Sequence, residues 1–346
     1  MLLVDARTLT EPHPTGVTEV AHQFISHIKK NFSDSIFFTG ENNFSNSLTN
    51  FKLMCGLTTL ERQSSVDKSI IFLPNTHFIH TKRTAIRLQV VHDLSFFHSP
   101  QWYSPRMRLW HKAANAEREI KSADTIIAVS EWTKNDLIKY LEIPSEIIHV
   151  VHPTTPHPVG GTHPKLPFSH KPFFLFLGTL EKRKNVRGVI EAFELIKNKP
   201  ELSEYQLILA GRPGFGAPKQ QELPSRVHHL SYVTSAEKWW LLKHASALVY
   251  PSFFEGFGLP PLEAASVGCP TIVSDCTALP ETMGDASLFV SPYDITQIAN
   301  AMEAIVIDKK LAAIYKARGF KRAAWYSSNQ QERDLLGAIA HAQSHL

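Results

Sequence analysis

The chain is poor in cysteine, in long apolar runs and in charge of one sign, and each shortage excludes a class of protein. Three cysteines among 346 residues (Cys55, Cys269 and Cys276) cannot all pair, and none stands in a Cys-x-x-Cys arrangement. That excludes a disulfide scaffold and predicts a reducing compartment, with the thiols serving as small core residues. No stretch approaches the roughly 18 unbroken apolar residues that a membrane-spanning helix needs. Met1-Leu2-Leu3-Val4 runs straight into Asp5 and Arg7. It therefore reads as a first strand and not as a signal peptide, which needs a basic start, a longer apolar run and a cleavage site. The expected location is the cytoplasm. The formal net charge is only +4, which suits anionic small substrates or an anionic membrane surface and argues against nucleic acid as a partner. Asp-x-Asp, the pattern that holds a metal–nucleotide complex, is also absent. Chemistry with no metal and no bound cofactor is expected.

What the chain does have is the composition of a soluble globular protein, 43% hydrophobic and 20% charged. Its length exceeds one compact core and predicts two domains. Short apolar runs alternate with helical patterns, the mark of an α/β architecture with doubly wound parallel sheets. Strands are predicted at Leu2–Asp5, 35–38, Ile70–Leu73, 88–92, 125–129 and 147–151. Helices are predicted at 17–30, 105–122 and Glu131–Leu141, the last capped by Ser130. Residues 152–172 are dense in Pro, Gly and His, without periodicity, and read as a linker. The pattern restarts at Phe173-Phe174-Leu175-Phe176-Leu177, an apolar run fit for a central strand. Further strands are predicted at 205–210, 228–233, Ala247–Tyr250, Thr271–Ser274 and 287–290. A helical tail runs from 309 to 345, interrupted near Ser327-Ser328.

Open parallel sheets bind ligands beyond the carboxyl ends of their strands, and three such loops stand out. Leu177-Gly178-Thr179-Leu180-Glu181-Lys182-Arg183-Lys184-Asn185 lies between a buried strand and a helix beginning near Asn185. Glycine admits a ligand close to backbone, a helix start offers amide donors, and three consecutive cations suit a diphosphate. A solvated basic loop is the plain alternative. Pro251-Ser252-Phe253-Phe254-Glu255-Gly256-Phe257-Gly258-Leu259-Pro260-Pro261-Leu262-Glu263 also follows a strand, and its paired prolines suit a first helical turn. The amides of Gly256, Phe257, Gly258 and Leu259 would face an anion. Glu255 in the loop and Glu263 in the first turn could both reach one cleft, where carboxylates accept hydrogen bonds from sugar and ribose hydroxyls. Glu263 could equally complement the helix dipole alone.

This loop resembles the pair of glutamates separated by seven residues that marks the retaining glycosyltransferases of the GT-B fold, family four. The similarity extends over nearly all of 173–294. It includes the Gly-Thr-Leu-Glu-Lys-Arg-Lys-Asn loop, Leu-Ile-Leu-Ala-Gly at 207–211, Gly-Cys-Pro-Thr-Ile-Val-Ser at 268–274, Leu279-Pro280-Glu281 and Ser291-Pro292-Tyr293-Asp294. The resemblance implies two Rossmann-like domains facing across a cleft. Residues 1–160 would bind the acceptor, residues 161–327 would bind the nucleotide-sugar donor, and a C-terminal helix at about 328–346 would return to the first domain. It implies that Glu255 contacts the transferred sugar, with the Gly256–Leu259 amides near sugar and diphosphate, and that Glu263 binds the ribose. Lys184 and Arg183 would neutralise the diphosphate beside Gly178 and Thr179. Some family members carry arginine directly after this glycine. Thr179 stands there instead, which leaves the charge to Arg183 and Lys184.

In the first half the similarity is thinner. Val90-Val91-His92-Asp93 ends a strand as the family's N-domain histidine does, so His92 would hydrogen-bond the donor sugar. A satisfied core histidine is the alternative. Thr15-Gly16-Val17 resembles the family's glycine loop, in which Gly16 lies against diphosphate or acceptor, although a plain helix entry explains it nearly as well. The style of the loop resembles enzymes of bacterial surface-polysaccharide assembly. It implies hexose transfer, with GDP-mannose the favoured donor, to a glycan or lipid-linked acceptor. A sugar-nucleotide epimerase or phosphorylase and a non-catalytic nucleotide-sugar-binding partner of a polysaccharide complex are the competing functions. The segment 102–121, with Trp102, Tyr103, Arg106, Arg108, Trp110, His111, Lys112 and Arg118, could rest on anionic lipid, though Glu117 and Glu119 dilute its charge. Gly211-Arg212-Pro213-Gly214-Phe215-Gly216 has the wrong spacing for a dinucleotide loop. His149, His152, His157 and His163 are too irregularly spaced for a zinc cage.

Overall fold

The computed structural model describes residues 1–10, 15–38, 69–75, 85–114, 116–155, 158, 160–169 and 171–346, with the side chains of 10, 110 and 112–114 left aside. Cys55 and His157 lie outside the described residues. In the first half, β1 (Leu2–Asp5), α1 (Gly16–Asn31), β2 (Ile36–Phe38), β3 (Ile70–Leu73), β4 (Ile86–Val91), α2 (Ser95–His98), α3 (Pro105–Ala114), α4 (Ala116–Lys121), β5 (Thr125–Ala128), α5 (Glu131–Leu141) and β6 (Ile148–Val150) follow one another. The second half runs β7 (Phe173–Leu177), α6 (Val186–Ile196), β8 (Gln206–Ala210), β9 (Val227–Leu230), α7 (Ser235–His244), β10 (Ala247–Tyr250), α8 (Leu259–Ser266), β11 (Thr271–Ser274), α9 (Leu279–Met283), β12 (Leu288–Val290), α10 (Ile295–Ile307) and α11 (Lys309–Trp325). It closes with α12 (Ser328–Gln343).

Two parallel six-stranded sheets result, in the orders β2-β1-β3-β4-β5-β6 and β12-β11-β10-β7-β8-β9. Their central strands are unbroken apolar runs because both faces are covered by helices: every residue of β7 and of β10 is buried. Each large side chain so buried is worth roughly 1.5–3 kcal/mol. Helix α6 buries Val186, Val189, Ile190, Phe193 and Ile196, a single stripe at helical spacing. Helix ends are closed by side chains that sequence reasoning can find. Ser130 accepts the Thr133 amide at 3.0 Å, and Thr234 forms a capping box with Glu237.

The order of the second sheet locates its ligand edge. From β7 the chain winds outward through β8 and β9, then returns to β10 on the other side of β7. The loops leaving β7 and β10 therefore diverge at the carboxyl end of adjacent strands, the switch point at which doubly wound sheets bind ligands. In the first sheet β1 and β3 bear the same relation.

The chain divides into two compact units. One comprises Met1–Leu94, Pro105–Thr154 and Ser328–Leu346; the other comprises Ser95–Ser104 and Thr155–Ser327. The passage at 154/155 precedes the boundary expected at 160. Thr154 is buried, and its amide and carbonyl bond the Gln23 side chain at 3.0 and 2.8 Å. The start of the proline-rich segment is thus anchored in the first unit, which composition cannot show. Helix α12 belongs to that unit as well. Its buried Gln331 bonds His27 at 3.1 Å, Gln23 at 2.8 Å and the His152 carbonyl at 3.0 Å. Ser95–Ser104 is a departure from expectation. Within the second unit Trp102 stacks on Phe253 at 6.2 Å and His98 lies 5.0 Å from Phe254.

Candidate active site

Gly178 leaves β7 with φ +133°, and its amide donates to the Ala210 carbonyl at 2.9 Å. Further backbone bonds tie this loop to the loop after β8: Leu180 donates to the Arg212 carbonyl at 2.9 Å and Gly214 to the Leu180 carbonyl at 2.8 Å. The Lys182 amide reaches the Phe215 carbonyl at 3.1 Å. The glycine-rich stretch 211–216, discounted as a dinucleotide loop, is a brace for the cationic one. It must be glycine at 211: a Cβ there would stand 2.0 Å from the Gly178 carbonyl oxygen.

Lys182, Arg183 and Lys184 form one 3-10 turn, and Asn185 turns the chain left-handed (φ 56°) into α6. The cations thus precede the helix on a rigid turn of their own and are not part of an extended loop. The Asn185 side chain donates to the Pro292 carbonyl at 2.7 Å, which fixes the turn. The loop after β10 locks onto it, since the Phe253 amide donates to the Arg183 carbonyl at 2.9 Å.

The two loops bring Glu255, Arg183 and Lys184 together. Lys184 Nζ lies 3.3 Å from Glu255 Oε1, and Arg183 Nη1 lies 3.4 Å from Oε2. Arg183 also binds Glu181 at 2.8 Å and donates to the Phe254 carbonyl at 2.7 Å. The Tyr250 hydroxyl, at the end of β10, accepts from Lys184 Nζ. Burial by itself would raise the Glu255 carboxyl; the cations of Lys184 and then Arg183 outweigh it and hold the group below its ordinary range. Burial, reinforced by the Glu255 charge, keeps the Tyr250 hydroxyl well above its ordinary value and so protonated. The result is an ionised carboxylate beside two cations with side chains only 10–14% exposed, in a setting where charge acts strongly on a ligand.

Glu263 is the fifth residue of α8 and so lies in its second turn, not the first as expected. The helix begins at Leu259 and takes Pro260 and Pro261 inside its opening turn, where amides lack intrahelical partners anyway. Glu263 is buried and pairs with Lys238 of α7 at 2.6 Å. Gly256–Leu259 are all buried. Gly258 caps α8 at φ +101°, and a Cβ on it would meet Leu279 at 2.4 Å. The Phe257 ring packs edge-on against Tyr326 at 5.2 Å, so its side chain is a core group. The Glu255 amide donates to Thr277 Oγ1 at 3.1 Å. Thr179 is half-buried beside Gly214.

His92 and Gly16 belong to the first unit. His92 follows β4, is half-buried, and its Nε2 pairs with the Pro74 carbonyl at 2.9 Å at the end of β3. Gly16 opens α1 behind the cap Thr15 and is exposed; among the described residues a Cβ there would meet nothing within 4 Å. Tyr250, Lys238, Asn185 and Thr277 were not among the residues singled out from sequence. Tyr250 alone carried a signal, a hydroxyl at the carboxyl end of a buried strand directly before the glutamate loop. Among the described residues no group of three or more His, Cys, Asp or Glu stands where it could hold a metal. The His163 ring instead lies tilted against Trp240 at 4.3 Å, and that of His149 tilted against His341 at 4.7 Å.

Comparison with known proteins gives concordant matches. The family "Glycosyl transferases group 1" matches residues 162–322, and "Glycosyltransferase Family 4" matches residues 65–156. O-antigen chain mannosyltransferase B of Escherichia coli is 31% identical over 268 residues, which is 73% of this chain and 69% of that protein. The serotype-specific mannosyltransferase WbdA of Escherichia coli is 27% identical over 265 residues; the match spans 69% of this chain but only 31% of that longer protein. Among solved structures, sucrose-phosphate synthase from Thermosynechococcus elongatus superposes with a TM-score of 0.70 at 16% identity, over 98% of this chain and 97% of that one. At that identity the likeness speaks for the GT-B fold alone.

Proposed function

Because this chain belongs to the group 1 glycosyltransferases of family four, we propose that it transfers mannose from GDP-mannose, with retention, to a glycan or lipid-linked acceptor in bacterial surface-polysaccharide synthesis. The observation that carries the proposal is Glu255 held ionised between Lys184 and Arg183 at the switch point of the second sheet. The mannose and the polysaccharide are supported by the names of the relatives just described.

Transfer needs the bond from the anomeric carbon to the diphosphate oxygen to break while one to the acceptor oxygen forms. Charge develops on the departing diphosphate. In this reading Lys184 and Arg183 would stabilise it, and Glu255 would orient the sugar hydroxyls as an acceptor of hydrogen bonds. Retaining hydrolases pair two facing carboxylates, one of them the nucleophile. Here Glu255 is engaged by cations and Glu263 by Lys238. In the reaction proposed, the acceptor attacks the face the diphosphate leaves, and a diphosphate oxygen takes the acceptor's proton. No metal or cofactor enters this scheme. Glu263 would bind the ribose, the 178–179 and 256–259 backbone would line the donor, and His92 and Gly16 would serve from the first unit. Peripheral contact with anionic membrane belongs to the same proposal. Helix α3 exposes Leu109 at 70% and Met107 at 44% beside Arg106 and Arg108.

The test is a donor screen of purified protein with EDTA present, following melting temperature and nucleotide release. A shift and slow release specific to GDP-mannose are expected, because a donor well above its dissociation constant adds a few kcal/mol of stability. A shift with another donor would replace the sugar assigned here. Lys184→Ala should lower turnover by about two orders of magnitude or more; near-normal transfer by that variant would sink the assignment.

A further inference from the structure

A row of aromatic rings in the second unit begins two residues before Glu255 and takes no part in the transfer scheme. Ser95–Ser104 belongs to that unit. From it Trp102 lies nearly parallel to Phe253, with 12° between the planes and 6.2 Å between the ring centroids. Phe254 stands 6.2 Å from Trp102 and 5.0 Å from His98. Phe253 in turn meets Tyr293 at 5.0 Å. Phe254 is buried, Trp102 and Phe253 are half-buried, and Tyr293 is 78% exposed, so the row opens outward from the glutamate loop.

The rings are mounted on the parts that hold the cations. The Phe253 amide donates to the Arg183 carbonyl at 2.9 Å, and the Phe254 carbonyl accepts from the Arg183 side chain at 2.7 Å. Asn185 donates to the Pro292 carbonyl, and Asp294 caps α10 by accepting the Gln297 amide at 2.9 Å. Tyr293 is thus held between two fixed residues. A tyrosine needed for packing buries its ring; one fixed in solvent offers a preorganised apolar face to a ligand.

The ligand that fits is a sugar ring. The faces of a pyranose carry C–H groups, whose partial positive charge suits the negative face of an aromatic ring, while the hydroxyls at its rim stay in water. The order of the sheet assigns the row to the acceptor and not to the donor's base. Lys238, the partner of Glu263, lies in the first turn of α7 directly after β9, whereas Tyr293 follows β12. Those two strands are the opposite edges of the sheet, with β10 and Glu255 between them. A donor with its ribose at Glu263 therefore leaves the β12 side to the other substrate.

We propose that Trp102, Phe253 and Tyr293 form an acceptor subsite that stacks a sugar behind the one being extended, so that the acceptor is an oligosaccharide. The proposal rests on the mannosyl transfer proposed above. From β10 to β12 is two strand spacings, about 10 Å, more than a single pyranose spans with its hydroxyl at the reacting carbon beside Glu255.

The test compares methyl α-mannoside with α-linked mannobiose and mannotriose as acceptors for the full chain. KM should fall by about tenfold or more from the monosaccharide to mannotriose. Tyr293→Ser should raise the mannotriose KM toward that of the monosaccharide, and Tyr293→Phe, which keeps the ring, should restore it. Equal KM values across the series in the unaltered chain, or the full length advantage in Tyr293→Ser, overturn the proposal. Loss of the GDP-mannose melting shift in Tyr293→Ser also overturns it, because the ring would then serve the donor. A second readout needs no donor: tryptophan fluorescence titrated with mannotriose should change saturably, and Trp102→Leu should remove the change. If GDP-mannose proves not to be the donor, the titration alone decides, and a signal that does not saturate, or that survives in Trp102→Leu, ends the proposal.

Discussion

At the scale of single residues, the site rests on buried charges that need one another. Tyr250 is fully buried and its hydroxyl stays protonated, so it can accept from Lys184 at any working pH. Tyr250→Phe keeps the ring and deletes that acceptor. It should cost about 1–3 kcal/mol of stability, visible in a denaturant melt, and should lower turnover further than the melt alone explains. A lower melting point with unchanged turnover would reduce Tyr250 to a packing role. Lys238 has the same relation to Glu263. Lys238→Met leaves a buried carboxylate without its cation, a loss on the order of 3–5 kcal/mol, whereas Lys238→Arg should preserve most of it. If Glu263 binds the ribose, the Met variant should also raise the donor KM, which steady-state rates would register. None of this pairing was legible beforehand. A sequence shows which residues end strands, and partners 66 or 71 positions apart, as Tyr250 and Glu255 are from Lys184, leave no periodic trace.

At the scale of elements, the strands were largely legible, and for a physical reason. A strand covered on both faces must be apolar throughout, so β7, β10 and β11 stand out at their observed limits. Weaker edges slipped by up to three residues, as at β9, expected at 228–233 and found at Val227–Leu230, where His228, His229 and Leu230 are only half-buried. Glu263 was misplaced by one turn because proline is tolerated anywhere in a first turn and so does not mark which residue opens it. The loop 211–216 was set aside as a dinucleotide site on its spacing; its pairing with 178–182 was not foreseen, because it depends on two strands lying side by side. That pairing sets the expectation for Gly211→Ala. The new Cβ would collide with backbone and not with a movable side chain, at a φ of +146° that side chains rarely adopt. Overpacking of about 1–3 kcal/mol plus strain of similar size should lower the melting temperature. It should also displace the cationic turn, so that the donor-induced stabilisation shrinks along with it. A Gly211→Ala chain that melts lower yet keeps the full donor shift would show that the brace supports stability alone.

At the scale of the whole molecule, the restart of the pattern after the Pro-rich segment announced two units, but the first unit is stitched from three stretches, the last being α12. Helix α12 lies against β5 and β6 through a histidine pair. His341 bonds Thr125 at 3.0 Å, and its ring stands 4.7 Å from that of His149 on β6. The Nε2 of His149 is buried and has no hydrogen-bond partner among the described residues. Burial, then His341, then Lys134 hold the His149 imidazole below its ordinary pKa. The unfolded chain therefore takes up a proton there before the folded chain does. Stability is complete above the ordinary histidine value and declines as pH falls from about 6.5. The closure of the first unit by α12 should accordingly loosen in mild acid, at a pH where Glu255, held below its ordinary range, is still ionised. Melts from about pH 7.5 to 5 should show the decline, and His149→Gln should flatten it without changing the neutral-pH donor response. An unaltered slope in that variant would move the acid sensitivity to another group, with His111 and His228, also lowered by burial, the next to replace.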